Sequence, residues 1–239
     1  ASVVLENLII TENTAVLDGG GISIEGVQST PQVTLQNIVF SNNTSGGAGG
    51  GLLVDLSDAT LIDLEVQNNT ASYGGGIALG YGTFTLDTIS VHGNSSGSSG
   101  GGGVFVASAD VTATTLDITK NTSSGFGGGI SVDYSTVTIT DALLQANTAY
   151  RGGGASVTQG SVFSLTDADF LSNSATESGG GLNVSDSEVT LSQIDFTSNT
   201  AATHGGGIFH AECSSNCSSQ GNDQITGDYI EFSSNHASV

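Results

Sequence analysis

Apolar residues recur along this chain in short alternating runs, and the runs themselves recur with a period near 26 residues. An asparagine occupies the same place in each repeat, and successive copies are separated by 30, 26, 25, 27, 26, 26, 26 and 36 residues. The nine copies are Asn13, Asn43, Asn69, Asn94, Asn121, Asn147, Asn173, Asn199 and Asn235. Self-similarity at a fixed period of roughly 20–50 residues is typical of solenoid proteins.

The residues around each asparagine predict three short strands per repeat. The positions ten, five and three residues before it are apolar in every copy, and the neighbouring positions are mostly polar. A third alternating run follows a glycine cluster, as at Ile77 and Leu79. Alternation with period two indicates strands with one buried face, and no window sustains the 3.6-residue period of a helix. The sequence therefore predicts an all-β chain.

Stacking these repeats gives a single-stranded parallel β-helix of about nine coils, each of ~26 residues. Each coil buries its apolar columns only against the coils next to it, so residues 1–239 are predicted to form one domain. Neighbouring strands lie about 4.8 Å apart, which predicts a rod of roughly 40 Å.

The repeated asparagines are predicted to point inward and to form a ladder of side-chain hydrogen bonds between coils, because a buried amide needs partners. Three or four consecutive glycines follow all of them but Asn235, as at 74–76. Glycine reaches backbone angles that strain other residues and lets adjacent coils approach closely. A phosphate-binding role would need a following helix and a lysine, and neither is present. The glycines are therefore predicted to be architectural.

The charge of the chain excludes some partners. Lys120 and Arg151 stand against 23 acidic residues, giving a formal net charge of -21. Nucleic-acid binding depends on basic residues, so no nucleic-acid partner is predicted. No apolar run reaches transmembrane length, so no direct membrane insertion is predicted either. The chain does not begin with Met, and we expect it to be a processed or excerpted part of a longer repeat protein.

The motif Phe-x-x-Asn stands at 40–43, 170–173, 196–199 and 232–235, and other repeats carry a different apolar residue in place of Phe. Together with Gly-Gly-Gly-Ile, as at 74–77, this pattern resembles the repeats of chlamydial polymorphic outer-membrane proteins. That family pairs Phe-x-x-Asn with Gly-Gly-Ala-aliphatic, so the third glycine is a departure. The resemblance implies a right-handed β-helix and an exported, surface-displayed segment that is commonly adhesive.

One outward column carries carboxylates. Four residues before the asparagine lie Glu65, Asp117, Asp169, Asp195 and Glu231. Asp169, Asp195 and Glu231 fall on consecutive coils, where like charges about 5 Å apart repel. Calcium prefers such oxygen ligands, so a weak calcium association is predicted there. No calcium-loop motif is present, and no other cofactor is predicted.

Both cysteines, Cys213 and Cys217, lie in an insertion predicted to span residues 209–224. In an exported chain this pair suggests a small disulfide. Free thiols, or a zinc site with His204 and His210, are the alternatives.

Seven sequons of the type Asn-x-Ser/Thr begin at Asn42, Asn43, Asn68, Asn94, Asn121, Asn183 and Asn216. Inward-facing ladder residues are unavailable to a sugar. The predicted acceptors, in a source that glycosylates, are therefore Asn42, Asn68, Asn183 and Asn216.

The leading functional prediction is an extracellular structural or adhesive solenoid at the cell surface, without enzymatic activity. Its expected partners are a host or neighbouring cell surface or glycan, and further copies of itself stacked end to end into a filament.

The main alternative is a polysaccharide-binding or polysaccharide-degrading β-helix, because paired acids such as Asp167 and Asp169 are available. A third reading is ice binding, because outward Thr and Ser residues form a double row over four coils. The double row pairs Thr112, Thr138, Ser164 and Thr190 with Thr114, Thr140, Thr166 and Ser192.

Overall fold

The computed structural model describes residues 2–26, 32–211 and 223–238, and every regular element within these ranges is a β-strand. The strands form three parallel sheets, here called sheets 1, 2 and 3, which are stacked coil upon coil. The predicted all-β parallel solenoid, with coils about 26 residues apart, is confirmed. The described residues contain no helix that is long and apolar enough to cross a bilayer.

Sheet 1 contains the first two predicted strands of each repeat. In seven of the nine coils these two strands are joined into one long strand, and in the other two coils they remain separate. The long strands are Val3–Thr11, Gln32–Ser41, Asp58–Gln67, Thr83–His92, Val162–Leu171, Glu188–Thr197 and Gln224–Ser233. The separate strands are Asp110–Ala113 with Leu116–Thr119, and Thr136–Ile139 with Ala142–Gln145.

Sheet 2 follows the repeat asparagines directly, and most of its strands have only two residues. Its members are Thr14–Ala15, Thr44–Ser45, Thr70–Ala71, Ser95–Ser96, Thr122–Ser123, Thr148–Arg151, Ser174–Ser178, Thr200–Ala201 and His236–Ala237. Sheet 3 follows the glycine clusters. Its members are Ile22–Glu25, Leu52–Asp55, Ile77–Gly80, Val104–Ala107, Ile130–Asp133, Ala155–Thr158, Leu182–Ser185 and Ile208–Ala211.

The pairing register places equivalent repeat positions side by side, so each apolar column becomes a continuous strip of core. Phe170 pairs with Leu144 on one side and with Phe196 on the other. The rings of Phe170 and Phe196 stack with centroids 4.6 Å apart, and those of Phe196 and Phe232 with centroids 5.1 Å apart. Burying one such side chain stabilises the fold by about 1.5–3 kcal/mol, so the core strips provide much of the stability.

At three corners of the coil, most coils use left-handed backbone angles at residues other than glycine. The first corner lies within the long strands of sheet 1, at Asn7, Asn37, Asp63, Thr88, Asp167, Gln193 and Tyr229. The second immediately precedes the repeat asparagine, at Glu12, Asn42, Asn68, Lys120, Ala146, Ser172, Ser198 and Ser234. The third follows sheet 3, at Leu56, Tyr81, Ser108, Tyr134, Gln159 and Asp186. Such angles are uncommon for side-chain-bearing residues, and their repetition shows that the coil geometry imposes them.

A second layer of chain packs on the outer face of sheet 3. It consists of the segment between sheet 2 and each glycine corner, and it is joined across coils by bridges such as Ala48 to Tyr73. Tyr73 contacts Phe105 of sheet 3 edge-on, with ring centroids 5.3 Å apart. Outward-pointing residues of sheet 3, such as Ser156 and Asn183, are consequently buried.

Candidate functional sites

The repeat asparagines form one column of hydrogen bonds through the molecule. The backbone nitrogen and the Nδ2 of Asn121 donate to Oδ1 of Asn147 at 2.9 and 3.1 Å, and Nδ2 also donates to the Val91 carbonyl at 2.9 Å. The same pattern recurs from Asn43 to Asn199, where the side chains are buried. These amides are fully engaged in holding adjacent coils together, which leaves them no role at the surface.

The four predicted glycan acceptors differ in their surroundings. Asn42 and Asn68 are exposed. Asn183 is only 3% exposed, and its Nδ2 donates to Ser156 Oγ at 3.1 Å. A sugar on that nitrogen is incompatible with the fold, so the prediction for Asn183 is wrong, because the outer layer covers this face of sheet 3. Asn216 lies outside the described residues.

The predicted disulfide between Cys213 and Cys217 also lies outside the described residues. The predicted insertion, 209–224, is shorter in the structure, because residues 209–211 complete the strand Ile208–Ala211 and Gln224 begins the next strand. His210 Nε2 lies 2.8 Å from Asp223 Oδ1, and the ring of His204 lies against Phe209. Among the described residues, no group of three metal-ligating side chains is arranged to hold a metal ion.

The outward carboxylates of sheet 1 line a groove at its first corner. In register, Asp195 pairs with Asp169 on one side and with Glu231 on the other. A cavity of about 800 Å³, here called the acidic groove, is lined by Asp141, Ala142, Leu143, Asp167, Ala168, Asp169, Ser192, Gln193, Asp195, Asp228 and Tyr229. Burial raises the pKa of Asp169, and the charges of Asp195 and Asp141 raise it further.

The outward hydroxyls of sheet 1 stand in register as a single file. It comprises Thr34, Thr60, Thr85, Thr112, Thr138, Ser164, Thr190 and Thr226. The second row is less regular: Thr114 Oγ1 donates to Asp87 Oδ1 at 2.6 Å, and Asp228 follows Ser192 on the next coil. Acidic residues therefore border the double row at both of these points.

A second groove, here called the sheet 3 groove, lies between the outer layer and the end of sheet 3. It has a volume of about 420 Å³. Its lining comprises Asp18, Glu25, Ala48, Leu53, Asp55, Tyr73, Ala78, Leu79, Gly80, Tyr81, Ser99, Phe105 and Ala107. The sequence pattern does not indicate this groove, because strand alternation carries no information about a layer folded over the outer face of a sheet.

The sheet 3 groove combines apolar surface with uncompensated negative charge. Burial raises the pKa of Asp55, the backbone N–H of Leu56 lowers it, and the charges of Glu25 and Asp18 raise it. Burial, followed by the charges of Asp18 and Asp55, likewise raises the pKa of Tyr73.

The absence of a side chain at Gly80 makes room for one of these carboxylates. A Cβ added at Gly80 would lie 2.4 Å from Asp55 Oδ1. This distance is shorter than a van der Waals contact, so a larger residue at this position would displace the Asp55 carboxylate.

Comparison with protein families agrees with this architecture. Residues 20–201 match the family model of a right-handed beta helix region. Residues 193–211, which include the Phe-x-x-Asn motif at 196–199, match the Chlamydia polymorphic membrane protein repeat. The predicted resemblance to these repeats is confirmed, over one short repeat. No curated protein and no solved structure matches the chain significantly.

Proposed function

We propose, from the premise that the chain belongs to the right-handed β-helix family, that it is an extracellular structural or adhesive solenoid displayed at a cell surface. The observation that carries this proposal is the regular stack itself. Nine levels of sheets 1 and 2 stack in parallel, with a local register shift in sheet 2 between Ala149 and Arg151, and one hydrogen-bonded asparagine column runs through all of them. The polymorphic membrane protein repeat is consistent with a surface-associated solenoid.

Its partner is a host or neighbouring cell surface or glycan, contacted along the length of the rod. The net charge of -21 keeps such a rod soluble and disfavours anionic surfaces. Beads coated with the chain should be retained on cell monolayers under flow more strongly than beads coated with the heat-unfolded chain. Equal retention of the two kinds of bead would contradict the adhesive part of the proposal.

End-to-end association is the second part of the proposal. Donation along the asparagine column always runs towards the carboxyl-terminal coil, from Asn13 to Asn43 at one end and from Asn199 to Asn235 at the other. The two faces of the stack are therefore complementary, with an acceptor oxygen at Asn13 and donor groups at Asn235. Phe232, 55% exposed, adds apolar surface to the carboxyl-terminal face. Sheet edges of this kind pair readily with another chain.

Negative-stain electron microscopy tests this association directly. We expect fibres of uniform width from the intact chain, and shorter particles from the variant Phe232→Glu. Tyr134→Glu is the matched control, because Tyr134 is equally exposed, at 55%, on the side of the rod. Isolated short rods from the unmodified chain would contradict end-to-end stacking.

Polysaccharide cleavage is a second candidate, favoured by one observation in the acidic groove. Burial raises the pKa of Asp169, which lies beside Asp195 and Asp141 in this groove, and glycosidic cleavage uses a pair of carboxyl groups, one of which acts as the acid. Against it, the carboxylates follow the coil repeat, and neither Lys nor Arg lines this groove. We therefore propose a non-enzymatic function.

Incubation with a panel of neutral and acidic polysaccharides distinguishes the two. We expect no new reducing ends and no unsaturated products. Product formation that disappears in Asp169→Asn would establish the enzymatic alternative in place of the structural one.

A further inference from the structure

We infer that the sheet 3 groove binds an alkylammonium group, that is, a primary amine cation carried on a short aliphatic chain. The site is formed by three carboxylates, three aromatic rings and an aliphatic floor, and none of these belongs to the asparagine column or to the acidic groove. This inference is independent of the structural or adhesive role.

The charge of the groove calls for a cation. Asp18, Glu25 and Asp55 line it, whereas Lys120 and Arg151, the only Lys and Arg residues of the chain, do not. Asp18 Oδ1 accepts from the Ala48 backbone N–H at 2.6 Å, and Glu25 Oε1 accepts from Ser23 Oγ at 3.0 Å. A carboxylate has room for about four donors, so these oxygens can still accept the three N–H donors of an ammonium group.

The rest of the groove calls for an organic cation rather than a metal ion. Ala48, Leu53 and Ala78 form one apolar cluster with Tyr73 packed against it, so the floor offers no oxygen ligands. Within the described ranges, no three side chains are arranged as metal ligands. An aliphatic chain would bury apolar surface on this floor, which a hydrated metal ion cannot do.

The aromatic rings are placed to support both parts of such a ligand. Tyr73 and Phe105 meet edge-on, at an interplanar angle of 70°. Tyr81 is 62% exposed at the mouth of the groove, so its ring is open to a ligand. A cation within about 6 Å of a tyrosine ring is attracted by the negative face of the ring.

Isothermal titration calorimetry of the intact chain with n-butylammonium chloride, at fixed ionic strength, tests the inference. We expect saturable binding at one site per chain. The neutral analogue 1-butanol, which has the same aliphatic chain, should bind at least about tenfold more weakly, because it lacks the charge-assisted hydrogen bonds. Equal affinity for the two probes, or no saturable binding of the cation, would overturn the proposal.

Two variants localise the site, and one controls for net charge. Asp55→Asn removes one carboxylate at nearly constant shape and should weaken n-butylammonium binding about tenfold. Tyr81→Asn should weaken it about two- to fivefold, and Asn tolerates the φ of 47° at this position. Asp195→Asn, on sheet 1, should leave the affinity unchanged.

Circular dichroism of each variant establishes that it is folded. If Asp55→Asn unfolds, Tyr81→Asn still tests the site, because Tyr81 is exposed and its replacement should not affect folding. Equal binding by all the folded proteins would place the cation elsewhere and refute the site.

A parallel titration with Nα-acetyl-lysine N-methylamide identifies the source of the ammonium group. An affinity close to that of n-butylammonium indicates lysine side chains of a partner protein, whereas no binding indicates free amines.

Discussion

Each ladder asparagine satisfies several buried polar groups at once. In Asn121→Ala, the Asn94 backbone N–H loses its Asn121 Oδ1 acceptor and the Val91 carbonyl loses its donor, both in the core. Each orphaned buried group costs about 1–3 kcal/mol, so we expect a loss of at least about 3 kcal/mol in the free energy of unfolding. Urea denaturation measures this loss. Thr122→Ala, at the exposed next residue, should change stability by less than about 0.5 kcal/mol.

Asp133 provides a residue-scale prediction for pH. Burial raises its pKa above 3.8, and the hydrogen bond from Thr158 opposes this only partly. The folded state therefore binds a proton more tightly than the unfolded state, and its stability falls as the pH rises through the raised pKa.

Asp133→Asn should consequently be more stable than the unmodified chain at pH 7, and the difference should shrink as the pH falls towards 3.8. Thermal unfolding between pH 3.5 and pH 7.5 measures this difference. Asp110→Asn removes the same charge from an exposed position on sheet 1, where the paired residues Thr83 and Thr136 are uncharged. If it gave the same pH-dependent gain, general charge repulsion would be the cause, and not the burial of Asp133.

At the scale of the element, the glycine columns determine how closely coils approach. A Cβ at Gly128 would lie 2.4 Å from the Gly153 carbonyl oxygen of the next coil. Because the obstacle is backbone and not a mobile side chain, Gly128→Ala should destabilise the stack by about 1–3 kcal/mol. Gly97→Ala, whose nearest contact would be 3.0 Å, should be milder in the same denaturation experiment. Similar losses at both positions would show that coil spacing is not what Gly128 maintains.

At the first corner, within the long strands of sheet 1, we expect a substitution to increase the stability of the fold. Thr88 is β-branched and has a φ of 56°, a left-handed angle that Asn adopts more readily. Thr88→Asn should therefore raise the free energy of unfolding by roughly 0.5–1 kcal/mol. The same substitution at Thr85, three residues earlier in the same strand, should give no gain, because Asn is disfavoured in extended strands.

These elements show which features the sequence could predict. The strand alternation, the 26-residue period and the asparagine column follow from spacing alone. The corner before each asparagine could not be predicted, because Glu12, Lys120 and Ala146 share no chemical property, only a position imposed by the coil. The outer layer on sheet 3 could not be predicted either, because alternation indicates that one face of a strand is buried and says nothing about the other face. Asn183 lies on that other face, so the sequence wrongly predicts that it is accessible to a sugar.

At the scale of the whole molecule, the chain carries a net charge of -21. Coils contact only their neighbours, so destabilisation of one coil propagates through the interfaces on either side of it. Self-repulsion among the carboxylates opposes the compact state, and added salt should raise the melting temperature by screening it.

Calcium should raise the melting temperature by more than charge screening alone if the carboxylates of Asp169, Asp195 and Glu231 bind the ion. These three residues are in register on consecutive coils, and a divalent cation would relieve their mutual repulsion. We expect millimolar calcium chloride to raise the melting temperature more than sodium chloride of equal ionic strength. The excess should be reduced in Asp195→Asn and retained in Asp110→Asn, another exposed carboxylate on sheet 1. If the two salts raised the melting temperature of the unmodified chain equally, calcium would act only by screening charge, and the column of carboxylates would be an ordinary solvated surface without a calcium site.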